Sequence, residues 1–260
     1  MLLALDTATE TCAVALVCGH QVIERAEHVG QGHSDRLIPM VQGVLAEAGV
    51  GPAALDAVAF GAGPGSFTGL RIACGVAQGI AYAIDRPVVA VGNLEALALN
   101  VASSLPDARR IAVAIDARMR ECYWAVYQIE HVSCAKEAVG ADATGQSPSA
   151  FAAVPDFRIT ELAPPSLSSA EALADALMAW SPDTLAGEAF GVFAAQLDCI
   201  AAARRQPCAA ASATAIARLG VQHLQAGLAV MPAHAMPIYV RDRVAQTTEE
   251  RLAQRAARAA

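Results

Sequence analysis

The residues best placed to do chemistry lie between Val58 and Ile84, V-A-F-G-A-G-P-G-S-F-T-G-L-R-I-A-C-G-V-A-Q-G-I-A-Y-A-I. A short apolar strand over Leu55–Phe60 meets Gly61, Gly63, Pro64, Gly65 and Gly69, which break regular structure. Ser66 or Thr68 can then cap a helix that runs to about Ile84, where Asp85, Arg86 and Pro87 stop it. A loop of this kind turns backbone N–H groups toward one point at a helix N-terminus, which suits a phosphate or a carboxylate. The named versions are absent. No lysine follows the glycines, as a P-loop requires. Ser66 and Thr68 stand where a dinucleotide fingerprint needs glycine, and Pro64 and Thr68 where a nucleophile elbow needs it. Two readings stay open: a tight βα turn that brings the helix close to its sheet, and an anion contact through Gly63, Gly65 and Ser66.

A second candidate is Asp6-Thr7, in the turn between strands at Leu2–Leu5 and Thr11–Val17, with a third strand near Gln21–Glu27. The pair either makes an Asx-type turn or faces a nucleotide phosphate. Three opening antiparallel strands with Asp and Thr at the first turn resemble the actin-like ATPase fold, in which that turn faces the nucleotide.

Those residues need helices to hold them, and the helices are themselves unusual. Arg71, Gly75, Gly79 and Ala83 are spaced by four and share one face. Two glycines inside a helix cost about 1–2 kcal/mol against alanine, so a close backbone approach is expected there, within the domain or from a partner chain. A membrane G-x-x-x-G face is excluded, because the segment is too short and carries Arg71 and Gln78. A preceding helix is expected from a Ser34 cap to about Ala48. Its core stripe is Leu37, Val41, Val44 and Ala48, and another face carries Arg36, Met40, Gly43 and Glu47. Two neighbouring helices with small residues on outward faces make a docking surface.

Composition narrows the classes. The 260 residues carry a formal charge of −7, against tight nucleic-acid binding by this chain alone. The basic clusters Arg109–Arg110 and Arg118 with Arg120 read as solvated faces. No apolar run is long enough to span a membrane, and no basic leader precedes Asp6, so a cytoplasmic protein is expected. The 7 cysteines include no C-x-x-C pair, and the histidines show no trusted metal-ligand spacing, so no metal is expected. Asp116 and Glu121 flank a hairpin turn between Ile111–Ile115 and Glu121–Ile129 and read as turn charges. Residues 131–165 read as irregular, Ser168–Trp180 and Ser212–Ala226 as helices, and Asn93 as the cap of a helix to about Ala102. The expected division is 1–104 with the partner surface, 105–242 with part packed back on the first, and a charged tail at 243–260.

Several runs together are similar to the TsaB (YeaZ) family: L-A-L-D-T-A-T-E-T-C-A-V-A-L at Leu3–Leu16, H-S-D-R-L-I-P at His33–Pro39, the glycine-loop helix, and D-A-R-M-R-E-C-Y-W-A-V-Y at Asp116–Tyr127. P-I-Y-V-R-D at Pro237–Asp242 returns near the end. The resemblance implies an α/β, actin-like ATPase (ASKHA, Hsp70-like) fold with two subdomains and a degenerate active site. It implies a non-catalytic partner and activator of TsaD, which forms threonylcarbamoyladenosine beside the anticodon of tRNAs reading codons that begin with adenine. TsaD carries the metal, TsaE is an ATPase that joins the complex, TsaC supplies the threonylcarbamoyl-adenylate, and tRNA is met only through the complex. Relatives in the TsaD group carry two metal-binding histidines four apart. Here His33 is followed at that distance by Leu37, so His33 reads as a helix-start hydrogen-bond donor. Glu188-Ala189-Phe190 departs from the family's Gly-Asp-Gly-type turn. The expected partner residues are Arg36, Met40, Gly43, Arg71, Gly75 and Gly79, with a homodimer through the same surface when the chain is alone. Asp6, Thr7, Gly63, Gly65 and Ser66 are the candidates for ATP or ADP, at the partner interface, if any cofactor is used. The other readings are an actin-like phosphotransferase and a peptidase.

Overall fold

The computed structural model describes residues 1–19, 21–131, 157–200 and 204–241. The first half runs β1 (Leu2–Asp6), β2 (Thr11–Cys18), β3 (Gln21–His28), α1 (His33–Glu47), β4 (Ala57–Gly63), α2 (Phe67–Ala83), β5 (Val88–Gly92) and α3 (Asn93–Ser104). The second runs β6 (Arg110–Arg118), β7 (Glu121–His131), β8 (Phe157–Ser169), α4 (Ala170–Trp180), β9 (Thr184–Ala186), α5 (Ala189–Val192), α6 (Ala194–Leu197), β10 (Arg204–Gln206) and α7 (Ala213–Gln225).

Period-two alternation sets the layers. Leu2 and Ala4 of β1 enter one core with Ala13, Ala15 and Val17 of β2 and Ala57 and Ala59 of β4. Leu3 and Leu5 enter another with Val14, Leu16, Val58 and Phe60, against α1 and α2. The first of these cores also takes α3, α7 and the Ile111, Val113, Ala125 and Tyr127 face of β6 and β7. The opposite face of that second sheet, with Ala112, Ala114 and Val126, packs on α4 to α6. α3 is thus apolar nearly all round, with Leu94, Leu97, Leu99 and Val101 buried. Alanines on the sheet let α7 come close: a Cβ at Gly220 would sit 2.8 Å from the Ala59 Cβ.

The two sheets repeat one plan. The first is ordered β3-β2-β1-β4-β5 and the second, read from β8, is β8-β7-β6-β9-β10. In each, an antiparallel three-strand meander is extended by two parallel strands.

Several local expectations need correction. β4 continues through Gly61 to Gly63 instead of breaking at the glycines, because β5 pairs along it as far as Gly92. α1 begins at His33 with Gly32 before it and no side-chain cap, so Ser34 does not cap it. Residues 157–169, read as irregular and then as a helix start at Ser168, form β8, and Ser169 caps α4. Pro164 and Pro165 hid the strand; they are tolerated because β8 is an edge strand with register shifts beside them. Residues 132–156 and the expected tail at 243–260 lie outside the described residues.

The β6–β7 turn places three successive non-glycine residues in the left-handed region, with φ of 65° at Arg118, 55° at Met119 and 65° at Arg120. That conformation costs an L-residue roughly 1–2 kcal/mol, and Asn-Gly is the preferred pair for it. Asp116 Oδ1 supports the turn by accepting from the Arg118 N–H at 2.8 Å. Met119→Asn combined with Arg120→Gly is expected to raise unfolding free energy by about 1–2 kcal/mol in urea melts; an unchanged midpoint would show that the turn carries no strain.

Candidate functional site

The carboxyl ends of β1 and β4 bring the sequence candidates together. Asp6 is buried, and its Oδ1 accepts from the Ala8 N–H and from Asn93 Nδ2, each at 3.1 Å. Asn93 Oδ1 in turn accepts from the Gly63 N–H at 2.7 Å. Gly61 leaves room for this pair, since a Cβ there would lie 2.4 Å from Asp6 Oδ1. Burial pushes the Asp6 carboxyl up to about 6, opposed by hydrogen bonds from Asn93, Ala8 and Thr7.

The turn after β1 closes directly on the glycine loop. Thr7 Oγ1 donates to the Gly69 carbonyl at 2.7 Å, and the Ser66 N–H donates to the Ala8 carbonyl at 2.7 Å. A Cβ at Gly69 would meet the Thr7 carbonyl oxygen at 1.8 Å, and one at Gly65 the Ala8 Cβ at 2.7 Å. Ser66 Oγ caps α2 by accepting from the Gly69 N–H. The N–H groups of Gly63, Ser66 and Gly69 are therefore spent on acceptors within the chain. Asp6, Thr7, Gly63, Gly65 and Ser66 are neighbours, and their arrangement is a closed junction between two loops. Sequence reasoning missed Asn93 as its keystone. Asn93 was expected to cap α3, yet it lies in the first turn with no capping bond. Its signal was a lone polar residue between an apolar strand and an apolar helix.

The partner-surface residues separate. Gly75 and Gly79 are exposed on α2, and a Cβ at either would have nothing within 4 Å among the described residues. Phe67 and Tyr82 stand exposed at the ends of that helix, Tyr82 at 80%. Arg71 shares the exposed face, its guanidinium 3.8 Å over the Phe67 ring. Arg36 is exposed and paired with Glu27. Met40 is a correction: it is 3% exposed and belongs to the core under α1, so it cannot line a free surface. Gly43 faces the Arg25 guanidinium of β3, whose Nη1 would lie 2.3 Å from a Cβ there. Its mid-helix position is explained within the chain.

The segment after α7, which includes most of the Pro237–Asp242 run, completes the surroundings. After α7, Val230 makes an antiparallel bridge to Val88. The Ala235 carbonyl accepts from Gln78 Nε2 at 3.0 Å, and the Ile238 N–H donates to the Ala62 carbonyl at 2.7 Å. Tyr239 packs its ring 5.7 Å from that of Phe67 and accepts from Arg71 Nε at 3.2 Å. Arg241 then pairs with Glu121 on the second sheet.

Other candidates carry less. His33 is buried, and its Nδ1 has no partner, so the expected donor role is not seen at that nitrogen. Cys12 and Cys122 are buried, and desolvation pushes their thiols up to about 11 and about 12. Both are thus poor nucleophiles at neutral pH. Among the described residues no three His, Cys, Asp or Glu side chains are grouped as metal ligands. No described helix is long and apolar enough to cross a membrane.

With this geometry in hand, comparisons place the chain. The family model described as TsaD: tRNA N6-adenosine threonylcarbamoyltransferase matches residues 24–248. The solved structure of YeaZ from Pseudomonas aeruginosa superposes with a TM-score of 0.72 at 35% identity, covering 92% of this chain and 99% of that one. A second structure, described as an uncharacterized protein with similarity to peptidase YEAZ from Pseudomonas aeruginosa, gives a TM-score of 0.73 at 34% identity over the same shares. The tRNA threonylcarbamoyladenosine biosynthesis protein TsaB of Haemophilus influenzae is 46% identical over 123 residues, 47% of this chain and 52% of that protein. The protein of the same name from Escherichia coli is 45% identical over 127 residues, 49% and 54%. The chain thus spans about half the length of the curated relatives it matches. It belongs to the TsaB/YeaZ family.

Proposed function

We propose that this chain serves the formation of threonylcarbamoyladenosine on tRNA as a non-catalytic partner and activator of TsaD. The names of its TsaB relatives support the pathway. One observation carries the role: α2 keeps two exposed glycines whose Cβ positions meet nothing within 4 Å among the described residues. Helix interiors disfavour glycine by about 1 kcal/mol each, and no contact among the described residues offsets that. A second backbone laid against Gly75 and Gly79 does. Arg71, Phe67 and Tyr82 border the contact, and Arg36 lies on the neighbouring helix. Alone, the chain pairs with itself through this face; TsaE joins the assembled complex in the cytoplasm, and tRNA is met through it.

The repeated strand order of the two sheets favours the actin-like fold for this chain. The actin-like phosphotransferase reading rests on Asp6, Thr7 and the glycine loop. It is disfavoured because the loop's Gly63, Ser66 and Gly69 N–H groups already have acceptors in the chain. The peptidase reading has the description of one structural neighbour behind it and no activated nucleophile among the described residues. The test is reconstitution of tRNA modification with TsaC, TsaD and TsaE, with and without this chain. Modified adenosine is expected only when the chain is present, and none from the chain alone. Equal modification without it would sink the role.

A further inference from the structure

We infer that Ala235–Arg241 is a clasp that couples the exposed face of α2 to the strained β6–β7 turn on the other sheet. The segment has no regular secondary structure, yet Ala235, Ile238, Tyr239 and Arg241 are each fastened. Ala235 is held by Gln78 and by Cys74 Sγ, at 3.0 and 3.5 Å, both from α2. Ile238 continues from Ala62, its own carbonyl oxygen 2.7 Å from where a Cβ of Gly63 would be. Tyr239 sits in the Phe67–Arg71 group on α2. Two residues on, a distance of roughly 7 Å in extended chain, Arg241 leaves the first sheet for the second.

There Arg241 is well covered, its side chain 14% exposed. Its guanidinium pairs with Glu121, lies 5.9 Å over the Tyr123 ring, and approaches Met119 Sδ at 3.9 Å. Glu121 and Met119 belong to the turn in which Arg118, Met119 and Arg120 are held left-handed. A covered, doubly engaged arginine resists the exchange of partners that makes surface ion pairs weak. Strain of this kind persists where surrounding contacts over-determine it. The clasp supplies such contacts from a segment that also orders Arg71. A change in the position of Arg71 or Phe67 therefore reaches the turn through Tyr239 and Arg241. Its use in docking rests on the partner reading given above; its existence does not.

Amide hydrogen exchange of the full chain, without any partner, tests it. Arg71→Ala and Tyr239→Phe perturb the α2 end, and Arg241→Ala perturbs the turn end. The readouts are the Ile238 N–H and the N–H groups of Arg118–Glu121. Each substitution is expected to accelerate exchange at the far end by about tenfold, the scale of a local opening made easier without global unfolding. Arg241→Lys, which keeps the charge, is expected to restore most of the protection at Ile238. Acceleration confined to the altered end in all three variants would overturn the clasp. So would identical acceleration in distant β2, which would mark general destabilisation. Neither result would touch the docking reading, which is decided by complex formation.

Discussion

Gly79→Leu is expected to make the free protein slightly more stable and to abolish its complex. The stability gain follows from replacing a helical glycine with a good helix former, about 0.5–1 kcal/mol, at a site where the new Cβ meets no atom within 4 Å. The loss follows from geometry at the proposed contact. A leucine where two backbones lie close holds them apart, and losing a central contact costs 2 kcal/mol or more, roughly 30-fold to 100-fold in affinity. The opposite signs separate docking from folding. At a concentration low enough for the parent to be monomeric, a melting curve on the variant should shift upward by a degree or more, while co-elution with TsaD fails. A variant that melts higher and still co-elutes would remove Gly79 from the contact, and with it the observation on which the partner role stands.

The second large effect is electrostatic. Asp6 is raised from 3.8 to about 6, first by loss of water around the carboxyl. A carboxyl raised by folding favours the native state when protonated. Its contribution is fully present below pH 3.8 and is lost as pH rises through about 6. A shift of about two pKa units corresponds to about 3 kcal/mol. Other carboxylates titrate in the same range, so the useful quantity is the difference in unfolding free energy between Asp6→Asn and the parent. That difference should move in favour of the variant by about 2 kcal/mol from pH 4 to pH 7, the rest of the change lying below pH 4. Whatever the variant's baseline, a flat difference across this range would show that Asp6 stays solvated or ionised in the folded chain.

Legibility followed how local each cause is. β1, β2, α2 and α7 could be read from the letters because hydrophobic period and capping act within a few residues: of the two caps expected for α2, Ser66 is the one used, and the helix expected over Ser212–Ala226 is α7. β8 could not, because its two prolines argue against a strand until the partner strand and the edge position are known. At the site, the sequence pointed to Asp6, Thr7 and the glycine loop, and they do meet. It could not show that they meet each other. That outcome depends on Asn93, 87 residues from Asp6 in the chain, and on Ala8, whose small side chain and carbonyl fill the loop. Met40 was misplaced because the face of a helix that turns outward depends on where the sheet lies; with β2 beneath α1, Met40 joins Leu37, Val41 and Val44 inside.

The position of α7 has a consequence during synthesis. Its Ile216 and Leu219 lie in the same core as Leu2 and Ala4, so α3 covers only part of that face of the first sheet and the rest stays open until residues 213–225 have left the ribosome. Translation of the intervening hundred or so residues takes on the order of ten seconds at usual rates. Through that interval the nascent first half exposes an alanine- and leucine-lined sheet, a natural substrate for chaperones that hold apolar chains. A gene fragment ending after α3 would keep that need permanently, and would be recovered as insoluble material even though every strand of its sheet is present.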